Sequence, residues 1–212
     1  MASRKVDGRF LQTLLILNGA IPAVLLGWDA WWGQLGTNPQ EFAIRTTGSL
    51  TLIFLTLTLT VRPLMEWLRI PALIGLRRTA GLFSFFYAVL HLTTYSWFDK
   101  ELQVKAIIAD TLARPFIFLG MAAFLLLLPL AATSTKSMVR RLGGQRWQRI
   151  HWAVYPAACA GVAHYYLLVK ADTTYPLGFG LAVGLLLAYR VLRRRLHGYR
   201  TTGVPRGPIR SA

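Results

Sequence analysis

The sequence predicts an all-α integral membrane protein, a six-transmembrane-helix bundle with both termini cytoplasmic. Three observations carry this. The 212-residue chain is 54% hydrophobic and 15% charged, with a mean hydropathy of +0.44, too apolar for an ordinary soluble domain. Six apolar runs, at about 10–28, 43–61, 79–97, 115–133, 151–169 and 176–192, each approach the ~20 residues needed to cross ~30 Å of hydrocarbon. The charges also divide by side, with every second connection strongly basic and those between them neutral or acidic. Segments 1–9, 62–78, 134–150 and 190–212 hold nineteen of the 24 lysines and arginines and two of the eight acids. The opposite face holds Arg45, Lys100, Lys105, Arg114 and Lys170 with the other six acids. By the positive-inside rule the basic face is cytoplasmic. A net charge of +16 would point to nucleic acid in a soluble protein; here its placement fixes topology and argues for lipid contact instead.

The first run follows a basic head and has the look of a signal peptide, but it is longer than a signal core and no small-x-small site closes it, so it is expected to stay as a span bent at Pro22. Trp28, Trp31 and Trp32 at its end read as interfacial anchors. The second run is Thr- and Leu-rich, with Arg45 expected to snorkel to the interface. A cytoplasmic loop, 62–78, is bounded by prolines and ends in Arg77 and Arg78. The outer loop 98–114 mixes charge with apolar residues, as a short amphipathic helix lying on the membrane would, and offers the best surface for an outside partner. The fourth run has Pro115 first and no ionisable group, so it reads as packing. The loop 134–150, with its arginines, Gly143-Gly144 and Trp147, is a weak candidate for a flavin phosphate and ring, without any nucleotide fingerprint. In the last run Gly180-x-x-x-Gly184 suggests close helix contact within the chain. The basic tail beyond it is expected to be disordered, with His197 solvated.

The chemistry is carried by histidines inside the third and fifth runs. Imidazole is costly in hydrocarbon unless it binds something, so a proton path, an ion site or a haem iron are the natural readings. His91 stands eight residues before Asp99, and His164 eight before Asp172, which puts both about 12 Å below the same face. Two imidazoles at one depth on neighbouring helices can clamp one iron from opposite sides. His151, 13 residues before His164, belongs about 20 Å lower, at the cytoplasmic edge. Thirteen residues is 3.6 turns, so either the helix is distorted near Pro156 or only one of its two histidines faces the site. Arg77 precedes His91 by 14 residues, close to four turns, and shares its face at the level of His151, where it would pair with a propionate or a flavin phosphate or simply fix topology. The lone Cys159 excludes a disulfide framework, and without Cys-x-x-Cys-His any haem is held non-covalently, as haem b.

The stretches RRTAGLFSFFYAVLHL, RPFIF and LGGQRWQRIHWAVY, with a histidine following at His164, resemble the MsrQ (YedZ) family, haem-binding membrane subunits of the bacterial MsrPQ methionine sulfoxide reductase system. More broadly the chain is similar to the ferric reductase-like transmembrane superfamily, which includes NADPH oxidases and STEAP proteins. The resemblance spans nearly the whole chain and implies a single ferric reductase-like transmembrane domain over 1–212. It implies that His91 and His164 fill the outer haem-ligand positions. It also implies that His151 matches an inner ligand whose usual partner, 14 residues before His91, is here Arg77, which puts a second haem in doubt. Further implications are FMN bound near Arg77 and Arg78, electrons drawn from the quinone pool or a cytosolic flavin reductase, and delivery to a periplasmic molybdopterin enzyme, MsrP. The setting is the bacterial inner membrane, crossed several times.

Three functions follow from these readings. The first is an electron-transfer subunit whose substrate chemistry lies on a partner. The second is a haem-free proton-coupled carrier, which calls for more intramembrane carboxylates than the spans contain. The third is a self-sufficient transmembrane ferric or metal reductase.

Overall fold

A computed structural model describes residues 7–202, with side chains as far as Arg195, and every regular element among them is helical. In chain order these are α1 (Gly8–Trp31), α2 (Pro39–Leu68), a 3₁₀ turn (Pro71–Leu73), α3 (Ile74–Phe98), α4 (Val104–Ala113), α5 (Pro115–Ala132), α6 (Lys136–Leu142), α7 (Gly144–His151), α8 (Val154–Leu168) and α9 (Thr174–Thr202). Five helical segments are long and apolar enough to cross a membrane: Gly8–Trp31, Pro39–Leu68, Pro71–Phe98, Pro115–Ala132 and Thr174–Arg195.

The fifth predicted span, 151–169, is not one such helix. It divides at Trp152–Ala153 into α7 and the 15-residue α8. The cause is local. Pro156 has no N–H to give the carbonyl of Trp152, so Tyr155 N–H takes that carbonyl at 3.1 Å in the tighter three-residue pattern.

Two predicted loops are likewise more helical than expected. The segment 62–78 is not a loop, because α2 runs through Pro63 to Leu68, Arg69 closes it in the left-handed region (φ 57°), and Arg77 and Arg78 already belong to α3. Proline inside a helix leaves the carbonyl four residues earlier unpaired. In α2 that carbonyl is Leu59, and a guanidinium of α9 supplies the missing donor, Arg190 Nη2 to Leu59 O at 3.3 Å. Segment 134–150 folds as α6 and α7 hinged at Gly143, whose φ of 73° suits glycine. A short helix does form where one was expected in 98–114, as α4. At the C-terminus the basic segment expected to be disordered continues as helix to Thr202; the side chain of His197 and residues 203–212 lie outside the described part.

The core is built where small residues let helices approach. Ala157 and Ala158 of α8 are fully buried against Leu55 and Leu59 of α2 and Leu127 and Leu130 of α5. Tyr87 of α3 is buried between Phe54 and Phe83, and its hydroxyl donates to Gly19 O of α1 at 2.6 Å, close to Pro22. Of the two glycines of the Gly180-x-x-x-Gly184 pattern only Gly180 faces a neighbour, Val162 of α8, while Gly184 opens onto free space. Trp28, Trp31 and Trp32 are exposed, as anchors would be. Gly8 lies against Ala72, and Glu66 is ion-paired to Arg193, so the start of α1, the α2–α3 junction and the later part of α9 gather at one end of the bundle.

Candidate functional site

His91 of α3 and His164 of α8 meet in the bundle interior, their ring centroids 6.2 Å apart and their planes at 76°. Each ring is fixed by the same device on a different helix. His91 Nδ1 lies 2.9 Å from the carbonyl of Ile44 in α2, and His164 Nδ1 lies 2.6 Å from the carbonyl of Phe116 in α5. A carbonyl only accepts, so each Nδ1 carries the proton and each Nε2 presents a lone pair. One turn beyond each carbonyl is a glycine. A Cβ at Gly48 would stand 2.9 Å from His91 Cε1, and one at Gly120 would stand 2.9 Å from His164 Nδ1, so both rings lie where only hydrogen fits. Carbonyl at i and glycine at i+4 thus form two matching cradles, on α2 and α5.

The spacing is that of a two-coordinate clamp. Metal–imidazole bonds of about 2 Å and a centroid-to-nitrogen distance of about 1.1 Å put two rings on one ion roughly 6 Å apart. The rings border a cavity of about 270 Å³ whose wall is almost wholly apolar, with Leu52, Leu55, Phe124 and Leu127 among its members. Besides the two imidazoles its polar members include Arg45, Tyr95, Asp99, Arg114 and Tyr165. Arginines beside an apolar slot suit a planar apolar ring that carries carboxylates. Among the described residues no cluster of three or more His, Cys, Asp or Glu side chains is placed to hold a metal, so the donor set here is a pair of neutral imidazoles. That set suits axial ligation of an iron already held equatorially by a porphyrin.

The rim beside the imidazole pair is tied to this site through α4. Tyr95 Oη donates to Asp110 Oδ2 at 2.6 Å, and Lys100 and Arg114 pair with the same carboxylate at 2.9 and 2.8 Å. The Tyr95 hydrogen bond, aided by those two cations, holds the Asp110 carboxyl below its ordinary value of 3.8. A depressed folded-state pKa gives stability that is full above the unfolded value and is lost as pH falls through the folded one. Asp110→Asn should therefore melt lower than wild type at neutral pH, with the gap steady down to about pH 4 and closing below it. Equal melting temperatures at neutral pH would contradict the assignment.

The other predicted site residues lie in a second cavity of about 410 Å³ toward the opposite end. Arg77, Arg78, Lys136, Trp147 and His151 all line it, and it shares Leu55 and Leu127 with the outer cavity. His151 stacks on Trp147 at 3.9 Å, and Trp147 Nε1 donates to Thr133 O at 2.9 Å. The Thr133 hydroxyl donates to Pro129 O at 2.6 Å, so His151 Nε2–H is the donor across its 3.1 Å contact with Thr133 Oγ1. His151 is thus held through Nε2, the reverse of His91 and His164. No second imidazole lines this cavity among the described side chains.

Both histidines of the broken segment point to α5, at Thr133 and at Phe116. Both alternatives left by their 13-residue spacing hold: the helix breaks at Trp152–Ala153, and only His164 faces the cavity that His91 lines, while His151 lines the other. The cradle residues Ile44, Gly48, Phe116 and Gly120 were not anticipated. The available signal was a glycine at the sixth position of each of two apolar runs, 43–61 and 115–133.

Residues 45–162 match the family described as ferric reductase like transmembrane component. The chain is 45% identical over 183 residues to the protein-methionine-sulfoxide reductase heme-binding subunit MsrQ of Herminiimonas arsenicoxydans, covering 85% of this chain and 84% of that one. It is 48% identical over 184 residues to the MsrQ subunit of Rhodospirillum rubrum, covering 84% and 87%, and 41% identical over 201 residues to that of Polaromonas naphthalenivorans, covering 91% and 92%. No solved structure matches the chain.

Proposed function

Because this chain belongs to the ferric reductase like transmembrane family, and within it to the MsrQ subunits, we propose that it is a haem b electron-transfer subunit of a bacterial inner membrane. It serves a periplasmic MsrP-like molybdopterin methionine sulfoxide reductase, which repairs oxidised periplasmic proteins. The observation that carries the proposal is the pair of Nε2 lone pairs presented by His91 and His164, whose ring centroids are 6.2 Å apart in an apolar cavity.

His91 and His164 would hold the haem iron, and Arg45 and Arg114, which pair with Glu41 and Asp110, line the same cavity and suit its carboxylates. When bound, haem supplies a one-electron ferric/ferrous couple. The chain's own residues do the rest. The Ile44 and Phe116 carbonyls orient the imidazoles and raise their donor strength, as partners of metal-bound histidine do. The leucine and phenylalanine wall excludes water and lowers the local dielectric.

In this reading α8 makes the fifth of six crossings, entered from the cytoplasmic-side helix α7, both termini lie on the basic, cytoplasmic side, and the whole chain is one domain. Reducing equivalents enter at the inner cavity, where Arg77, Arg78 and Lys136 suit an anionic cofactor such as FMN and Trp147 offers a ring to stack on. The donor is quinol or a cytosolic flavin reductase. The partner-facing surface is the outer end, around α4. A single haem suits the imidazole count better than two.

Proteoliposomes holding the purified chain test this. A short-chain quinol, or NAD(P)H with a flavin reductase, should reduce a b-type absorption band. Rapid reoxidation should then require both the periplasmic reductase and methionine sulfoxide. Equally fast reoxidation by ferric citrate without any partner protein would favour a self-sufficient metal reductase instead.

A further inference from the structure

A third pocket, of about 240 Å³, lies between α2, α8 and α9 at the basic end of the bundle and has no part in the site above. Four arginines line it, Arg62, Arg190, Arg193 and Arg194, together with Tyr155 and Tyr189. One carboxylate answers them. Glu66 pairs with Arg62 at 3.1 Å and with Arg193, and accepts from Tyr189 Oη at 3.0 Å. Among the described residues, four guanidinium groups meet one carboxylate around a small volume.

Arg190 is only partly satisfied. Its Nη1 donates to Tyr155 Oη and its Nη2 to the Leu59 carbonyl freed by Pro63, while its Nε is buried without a partner among the described residues. A buried donor left unmade is costly unless a ligand completes it. Arg194 lies over the Trp152 ring, 5.2 Å from its centroid, on the exposed side of the pocket. Guanidinium forks match the oxygens of phosphate, and basic pockets between helices at the cytoplasmic face are suited to anionic headgroups. The neighbouring surface favours a lipid over a soluble anion. Leu177, Leu181 and Leu185 stand exposed on α9 at four-residue steps that end at Tyr189 in the pocket, an apolar ridge running from the pocket into the membrane-spanning part.

We propose that this pocket binds the phosphate of an anionic phospholipid, with the acyl chains laid along the α9 ridge. The bound headgroup supplies an anion to Arg190 and Arg194 and holds α9 against α2 and α8.

The test uses the full chain, delipidated and titrated in parallel with phosphatidylglycerol, phosphatidylcholine and inorganic phosphate, and read by native mass and melting temperature. Phosphatidylglycerol should give a one-to-one adduct and raise the melting temperature more than phosphatidylcholine does. The double variant Arg62→Gln/Arg194→Gln, which changes two exposed side chains and leaves Arg190 on Leu59, should weaken that binding by roughly tenfold or more, and Arg62→Lys/Arg194→Lys should restore part of it. No preference between the two lipids, or unchanged phosphatidylglycerol binding in the glutamine variant, overturns the proposal. Inorganic phosphate matching phosphatidylglycerol at equal concentration overturns the lipid source and leaves a soluble phosphate site. Should the glutamine variant fail to fold, the three-way comparison on wild type decides alone. Haem content is not read, so the outcome is independent of the proposed redox function.

Discussion

Replacing His91 or His164 by alanine should abolish the b-type spectrum of the purified protein, with helical circular dichroism retained. Each imidazole presents one Nε2, and the opposite ring cannot supply the missing bond because its own Nδ1 is committed to a carbonyl. With one axial bond gone, a single imidazole and an apolar wall hold the porphyrin, and second-site rescue is not available: His151 is tied to Thr133 and stacked on Trp147 in the other cavity. His151→Ala should therefore leave the haem band in place. Loss of the band in His151→Ala but not in His164→Ala would reverse the assignment.

The second large effect is expected at two glycines that line the same cavity and carry no ligand atom. Gly120→Val should push the His164 ring off the Phe116 carbonyl, because even a single added carbon stands 2.9 Å from Nδ1. Gly48→Val should do the same to His91 on the Ile44 carbonyl. Losing the orienting partner of a metal-bound histidine costs roughly 10- to 100-fold in affinity. Haem occupancy in either variant should fall accordingly under limiting haem. Gly184→Val is the control, since nothing lies within 4 Å of its added carbon and the same loss of helix glycine is made there. Haem titration of the three variants checks this; equal affinity in all three would show that the cradles do not set the ring positions.

Much of this arrangement is legible in the chain itself, for identifiable reasons. Apolar runs of spanning length mark the membrane helices because composition and length are local properties. The shared depth of His91 and His164 follows from counting back to Asp99 and Asp172, since a helix converts residue number into height. What composition cannot show is how one helix compensates for another. Pro63 reads as the edge of a loop, yet α2 passes through it because Arg190, 127 residues later, donates to the carbonyl that Pro63 strands. Pro156 has no such helper from another helix, so the backbone tightens and the fifth run breaks into α7 and α8. The glycine cradles were missed for the same reason. A glycine in an apolar run has no meaning until the ring that fills its missing side chain is known to come from another helix.

The electrostatic layout follows the same division. The lopsided count of basic residues separates a basic end from a poorer one without any contact being known. It does not reveal that Arg62, Arg190, Arg193 and Arg194 converge on one pocket, or that Asp110 gathers Tyr95, Lys100 and Arg114 at the other end. Those clusters place α9 against α2 and α4 against α3, and they fix the rims between which the paired imidazoles are held.

The central claim is tested most directly by the low-temperature electron paramagnetic resonance spectrum of the oxidised wild-type protein, combined with haem per chain. Two neutral imidazoles on one ferric iron predict a low-spin signal at one haem per chain. A high-spin signal, or purified protein that carries no haem, would contradict it.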